Sequence, residues 1–377
     1  MNILITHNSL NSTGGGERVC LHIIKALMEA NHNVSLATVE RTNWNKVFKV
    51  MGIELPRVPK EFSLTKQLKM FGIYQRQLLF ITTLKLKKEY DVVINTHGDT
   101  MIIPADITYM HFPTITMLHG QWSPYVKYSK SLFWRAYFTP YELILNFTKR
   151  TLNRTFLLTN SKFSKEVIRK YLDRDALIVY PPVEIYDYLI LSENDQREDA
   201  VVTISRFTPE KHLHLVPHIA KILPKVNFYI IGSVRGFKSE EYFERIVKLK
   251  EKLNVNNLKL LPNAPHKVKL ETLSKCKVLL HLYPYEHFGI AVVEGLASGC
   301  LPVVHQSGGQ WMDIAECGKY GLGYKSLSPS EIASTIKLAL NMWNPKLKRI
   351  LVNRAKKFSD AIFRRKILYI VEKYAHL

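Results

Sequence analysis

Glu286 and Glu294, with seven residues between them, are the pair in this chain whose types and spacing most invite chemistry. They bracket Glu286-His-Phe-Gly-Ile-Ala-Val-Val-Glu294, which follows the apolar run Val278–Leu282 and predicts a helix opening near Gly289. The backbone amides of Phe288, Gly289 and Ile290 would then lie at the anion-binding end of that helix. Glu286 would stand before the helix, and Glu294 inside it could take two hydroxyl hydrogen bonds, as a ribose diol offers. The competing reading is plain: a helix-start charge and a solvated glutamate.

Three further segments follow strand-like runs and point the same way. In Ser205-Arg206-Phe-Thr-Pro-Glu-Lys211, Arg206 can grip phosphate oxygens with parallel donors and Lys211 adds a point charge, a pair suited to a diphosphate. A surface ion pair with Glu210 would use the same lysine. In Thr13-Gly-Gly-Gly-Glu-Arg18, Gly15 and Gly16 let main-chain amides approach a phosphate or sugar. This is neither the dinucleotide fingerprint nor a P-loop. Ser307-Gly-Gly-Gln-Trp-Met-Asp313 reads as another tight loop at a strand end.

His111, in Tyr109-Met-His-Phe-Pro113, is either a core histidine or a donor to a sugar hydroxyl. Two other groupings imitate metal sites. Asp173-Arg-Asp175 precedes the strand Leu177–Tyr180 and reads as a solvated turn. His212, His214 and His218 are interrupted by Pro217 and lack an acidic or cysteine neighbour. No metal and no cofactor is expected.

These residues need a scaffold that brings loops together, and the chain supplies one. Strand candidates at Asn2–Thr6, Val34–Val39, Asp91–Asn95, Thr155–Thr159 and Leu177–Tyr180 alternate with helical stretches, the first from Glu17 to Ala30. After Tyr180-Pro-Pro-Val183 and a polar run through Ser192–Asp199, the alternation restarts at Ala200–Ser205, Asn227–Gly232, Leu258–Leu261, Val278–Leu282 and Leu301–Val304. Apolar strands alternating with helices predict parallel sheets covered on both faces. We therefore expect an α/β protein of two doubly wound domains, residues 1–185 and 186–355. The basic stretch Lys346–Tyr374 is read as helical, with 356–377 returning to the first domain. Ligands of such sheets bind beyond the carboxyl ends of the strands.

Composition agrees with a folded protein: 377 residues, 46% hydrophobic and 23% charged, long enough for two cores. Cys20, Cys276, Cys300 and Cys317 show no paired spacing, which fits a reducing compartment. The net charge of +21 favours an anionic partner, and Arg57–Tyr90 and Trp122–Lys170 contribute +6 and +8 of it. Within Lys66–Lys88, Leu68, Phe71, Leu78, Leu79, Ile81 and Leu84 alternate with cations, as in an amphipathic helix lying on anionic lipid or in one facing a core. No run approaches the roughly twenty apolar residues of a membrane span. No nucleic-acid module appears, so a basic nucleic-acid- or lipid-binding protein without turnover is the remote alternative.

In combination, GGGERV, YMHFP, NSKFS, YPPVE, EHFGIAVVE and HQSGG, in this order across residues 14 to 309, resemble the retaining glycosyltransferases of GT-B fold in the glycogen-synthase-like, mannosyltransferase-rich family. Within it they are similar to the eukaryotic alpha-1,2-mannosyltransferases that extend a dolichol-linked oligosaccharide. The resemblance implies two Rossmann-like domains facing across a cleft. It also implies metal-independent transfer with retention, in which the leaving diphosphate takes the acceptor's proton. Glu286, His111, Arg206 and Lys211 would be the catalytic residues. Gly15, Gly16, Arg206, Lys211, Phe288, Gly289, Ile290 and Glu294 would bind the donor.

The implied donor is GDP-mannose, with UDP-glucose or UDP-N-acetylglucosamine as alternatives. The implied acceptor is a lipid-linked glycan, met by a cytoplasmic protein peripheral on an anionic membrane face in N-glycosylation. Two features depart from the pattern. Those eukaryotic enzymes carry an N-terminal membrane anchor, where MNILITHNSL reads as a strand, and the loop Leu282–Tyr285 is not a close match.

Overall fold

The computed structural model describes residues 1–64, 72–100, 103–116 and 131–375. The chain divides into two compact units, one of Met1–Pro182 with Asp360–Leu377 and one of Val183–Ser359.

The first unit begins β1 (Asn2–Thr6), α1 (Gly15–Glu29), β2 (Asn33–Thr38), α2 (Trp44–Met51), β3 (Lys60–Ser63), α3 (Gly72–Gln77), α4 (Leu79–Leu86). It continues β4 (Val92–Asn95), β5 (Ile107–Met110), α5 (Leu132–Asn153), β6 (Phe156–Thr159), α6 (Lys162–Leu172) and β7 (Leu177–Ile178). The second unit runs α7 (Tyr186–Leu191), β8 (Glu198–Ile204), α8 (Leu215–Ile222), β9 (Asn227–Gly232), α9 (Phe237–Lys252), β10 (Leu258–Pro262), α10 (His266–Lys275). It is completed by β11 (Cys276–His281), α11 (Ile290–Ala297), β12 (Leu301–His305), β13 (Leu322–Tyr324), α12 (Pro329–Met342) and α13 (Pro345–Ala355). Finally α14 (Asp360–Ala375) rejoins the first unit.

Among the described residues each unit holds one sheet, in the orders β3-β2-β1-β4-β5-β6-β7 and β10-β9-β8-β11-β12-β13. Every pairing is parallel. The strands are apolar on both faces because helices cover both: Ile3, Leu4 and Ile5 are all buried, as are Val201 and Val202. In each sheet the strand order reverses between two neighbours, β1 and β4 in the first and β8 and β11 in the second. That reversal opens the crevice where loops from the carboxyl ends diverge and ligands bind.

The elements differ from the sequence expectation where local pattern is weak. β3 (KEFS) is polar and β13 (LGY) only three residues long, so neither announces itself. The C-terminal stretch is not one helix: it breaks through a short turn at Lys356–Phe358 and the extended Ser359. α13 stays with the second unit, whereas α14 returns and buries Phe363, Ile367, Ile370 and Val371 in the core under α1. Likewise, Lys66–Lys88 is not one continuous helix. Residues 66–71 lie outside the described residues, and the remainder forms α3 and α4 with a break at Leu78. Residues 122–130 of the second basic stretch also lie outside them.

Candidate functional site

At the reversal point of the second sheet, β8 and β11 end beside each other and deliver opposite charges. Lys211, in the turn after β8, donates to Glu286 Oε2 at 3.0 Å, and both side chains are largely buried. His281, the last residue of β11, brings Nε2 to 3.3 Å of the same oxygen. The ammonium also lies 3.7 Å from the centre of the Tyr283 ring. Lys211 therefore meets Glu286, 75 residues away, and not Glu210.

These contacts fix the protonation states. Burial alone would raise the Glu286 carboxyl, but Lys211, followed by His281 and His287, outweighs it and holds the group well below its ordinary 4.5. Burial pushes His281 below 6.5 against the pull of Glu286, which favours the neutral imidazole near pH 7.

The loop carrying Glu286 is held by the Ser307-Gly-Gly-Gln310 segment after β12. Ser307 Oγ accepts from the Tyr285 amide at 2.8 Å, the Gly309 amide donates to the Glu286 carbonyl at 2.8 Å, and Gln310 Nε2 donates to the Tyr283 carbonyl at 2.9 Å. Gly308 has a φ of +74°, and a Cβ there would sit 2.4 Å from the Glu286 carbonyl oxygen. Only glycine allows this approach.

Helix α11 starts at Ile290, with Gly289 as its N-cap at φ +108°. Ile290 and Ala291, as its first residues, have no carbonyl one turn earlier to accept from them. Phe288, expected to offer an amide there, precedes the cap and buries its ring edge-on to Phe358. Glu294, one turn into α11, accepts from Lys269 Nζ of α10 at 3.0 Å. Arg206 is exposed and makes no side-chain hydrogen bond or ion pair among the described residues.

The first unit gathers its own polar set at its reversal point. Gly15 and Gly16 form the first turn of α1, capped through Glu17, whose Oε2 accepts from the Gly14 amide at 2.8 Å. His7, just after β1, shares a 2.9 Å hydrogen bond with Thr96, just after β4. His111 lies beyond β5, and a Cβ on Gly16 would come within 3.3 Å of its Nε2. Among the described residues that nitrogen is buried without a hydrogen-bond partner, as is His7 Nε2. Burial keeps His111 below the ordinary 6.5, against the pull of Asp99. Asp99 Oδ1 accepts the backbone amides of His111 and Phe112 at 2.5 and 2.9 Å and so fixes the loop.

Two family models match consecutive parts of the chain: "Glycosyltransferase Family 4" over residues 13–185 and "Glycosyl transferases group 1" over 192–358. The chain belongs to the group 1, family 4 glycosyltransferases. These are retaining hexosyltransferases that use nucleotide-sugar donors.

Among curated relatives of this glycosyltransferase is a GDP-Man:Man(3)GlcNAc(2)-PP-Dol alpha-1,2-mannosyltransferase of Dictyostelium discoideum, 25% identical, with 82% of this chain and 72% of that one aligned. The enzyme of the same name from Homo sapiens is 29% identical over 52% of this chain and 43% of its own length. That from Caenorhabditis elegans is 25% identical, over 65% and 59%. Among solved structures, sucrose-phosphate synthase from Thermosynechococcus elongatus aligns over 100% of both chains with a TM-score of 0.74 and 13% identity. Anabaena HepE, in complex with UDP and glucose, aligns over 99% of both with a TM-score of 0.69 and 16% identity. The fold is GT-B.

The sequence does not single out Lys269, His281 or Asp99: Lys269 meets Glu294 across two helices, Asp99 holds amides twelve and thirteen residues further on, and His281, five residues before Glu286, reads only as the end of an apolar run. The metal-like groupings have ordinary partners: Asp175 pairs with Lys165 and Arg169, and His214 hydrogen-bonds the Tyr242 hydroxyl.

Proposed function

We propose that this glycosyltransferase moves mannose from GDP-mannose, with retention, onto a lipid-linked glycan at the cytoplasmic face of an anionic membrane. The observation that carries the donor reading is the buried Lys211–Glu286 pair at the β8/β11 reversal point, beside the start of α11. An ammonium has three donors. Lys211 can hold Glu286 and still donate to a diphosphate, with Arg206 and the Ile290 amide completing the anion site. Glu286, kept ionised, orients sugar hydroxyls, and Glu294 takes the ribose diol. Neutral His111 donates to the sugar or accepts from it, and Gly15 and Gly16 leave room for the donor.

In the transfer, the bond between the anomeric carbon and the diphosphate oxygen breaks while the acceptor hydroxyl oxygen bonds to that carbon on the same face. The acceptor's proton passes to the departing diphosphate oxygen. Lys211 and Arg206 stabilise the charge developing there, which is electrostatic preorganisation. No metal takes part in this scheme. The mannose and lipid-linked acceptor follow the named activity of the Dictyostelium relative. The membrane reading is supported by Leu78, Ile81 and Leu84, each about half exposed, on the same stretch as Lys85 and Lys88. Among the described residues no helix is long and apolar enough to cross a membrane.

The test is thermal stability with GDP-mannose, GDP, UDP-glucose and UDP-N-acetylglucosamine, all in chelator. A ligand at a hundred times its Kd stabilises by about 2.7 kcal/mol. A shift with the guanine compounds that Glu294→Ala abolishes is expected. A shift with uridine compounds alone would sink the mannose assignment, and no shift with any would sink the donor reading.

A further inference from the structure

Glu294 lies in a helix and is only 15% exposed, yet its partner comes from a different helix. Lys269 of α10, itself 19% exposed, takes Oε1 at 3.0 Å, and this is the only side-chain hydrogen bond of Glu294 among the described residues. The same ammonium lies 5.2 Å from the centre of the buried Tyr188 ring of α7. Tyr188 in turn meets His266 of α10 edge-on at 5.9 Å. Lys269 is thus confined between a carboxylate and an aromatic face.

A carboxylate at a helix surface turns freely about its side-chain bonds unless a partner anchors it in one orientation, and Lys269 is that partner. The carboxylate has about four lone-pair sites. Lys269 occupies one on Oε1 and leaves Oε2 for a ligand diol.

We propose that Lys269 is a positioning residue for donor recognition, holding the Glu294 carboxylate in one orientation for the ribose of the nucleotide. The proposal rests on the reading of Glu294 as the ribose ligand. Lys269 contributes through Glu294, so its effect depends on the sugar hydroxyls of the nucleotide and on nothing in the transfer step.

The experiment measures binding of GDP and 2',3'-dideoxy-GDP by calorimetry to the full chain, wild type, Lys269→Met and Lys269→Arg, with UDP and 2',3'-dideoxy-UDP as a parallel pair. Wild type is expected to prefer the nucleotide with hydroxyls by about tenfold, the value of a hydrogen bond to a charged group. Lys269→Met is expected to lose most of that preference while binding the dideoxynucleotide as wild type does. Lys269→Arg, which keeps charge and donors, is expected to restore it. Transfer assays should show the Lys269→Met defect in the donor KM, with kcat within about twofold.

Should Lys269→Met not fold, the milder Lys269→Gln replaces it in the same comparison. Undiminished preference in folded Lys269→Met or Lys269→Gln overturns the proposal while leaving the ribose reading intact. Equal binding of both nucleotides by wild type overturns the ribose reading and the proposal with it. Failure to bind any nucleotide overturns the donor reading itself.

Discussion

Replacing Lys211 with methionine removes the cation from a pair whose members are 14% and 19% exposed. Methionine keeps most of the side-chain volume and the contact with Tyr283, so the perturbation is chiefly electrostatic. Removing one partner of a buried pair strands the other charge and costs about 3 kcal/mol or more. A unit the length of Val183–Ser359 loses about 2–4 °C per kcal/mol, so its melting transition should fall by about 6–12 °C at pH 7.

The penalty should depend on pH in a definite direction. In the wild type Glu286 is held well below 4.5, so its contribution is complete above that pH and is lost as pH falls through the folded value. In Lys211→Met, burial without the ammonium raises the carboxyl, and protonation relieves the stranded charge as pH falls. The difference between the two proteins should therefore be greatest at neutral pH and smaller at pH 4. The assay is a calorimetric melt of wild type, Lys211→Met, Glu286→Gln and the double variant at both pH values. Strong non-additivity at pH 7 is expected, since Glu286→Gln leaves Lys211 stranded and the double variant strands neither. Additive losses, or a difference that grows toward pH 4, would refute the reasoning. Activity offers an independent measure: loss of a preorganised cation at the diphosphate should lower kcat about a hundredfold.

Gly308→Ala should cost about 1–3 kcal/mol from its positive φ alone, with the added 2.4 Å clash against the Glu286 carbonyl; a variant with unchanged melting and unchanged donor KM would show that the Glu286 loop yields freely. Asp99→Ala leaves the His111 and Phe112 amides without their acceptor and should lower the first unit's stability by about 1–3 kcal/mol and slow transfer. Asp99→Asn, which keeps an acceptor oxygen, should be milder, and equal losses in both variants would contradict this.

Much of the architecture was legible in order of residues. β1, β4, β6, β8, β9 and β11 are short buried apolar runs between helical patterns, and a run apolar on both faces has few homes other than a covered parallel sheet. The ends of those strands mark the segments that follow them, where Gly15, Lys211 and Glu286 lie. What escaped was either short and polar, such as β3, or a matter of where a break falls, such as Ser359. Phe358 and Phe363 are both apolar and helical in pattern, and only packing assigns them to different units.

The sequence by itself determined which chemical groups are available and at which strand ends they stand, because strand and helix periodicity is local. Only the tertiary structure decided which charge answers which. Lys211 could have paired with Glu210 next to it, but the parallel pairing of β8 with β11 brings Glu286 to it instead. Lys269 and Glu294 meet because α10 and α11 flank the same strand, β11. The electrostatic energy of such pairs depends on distance and burial through space, and neither is written in the spacing of residues along the chain.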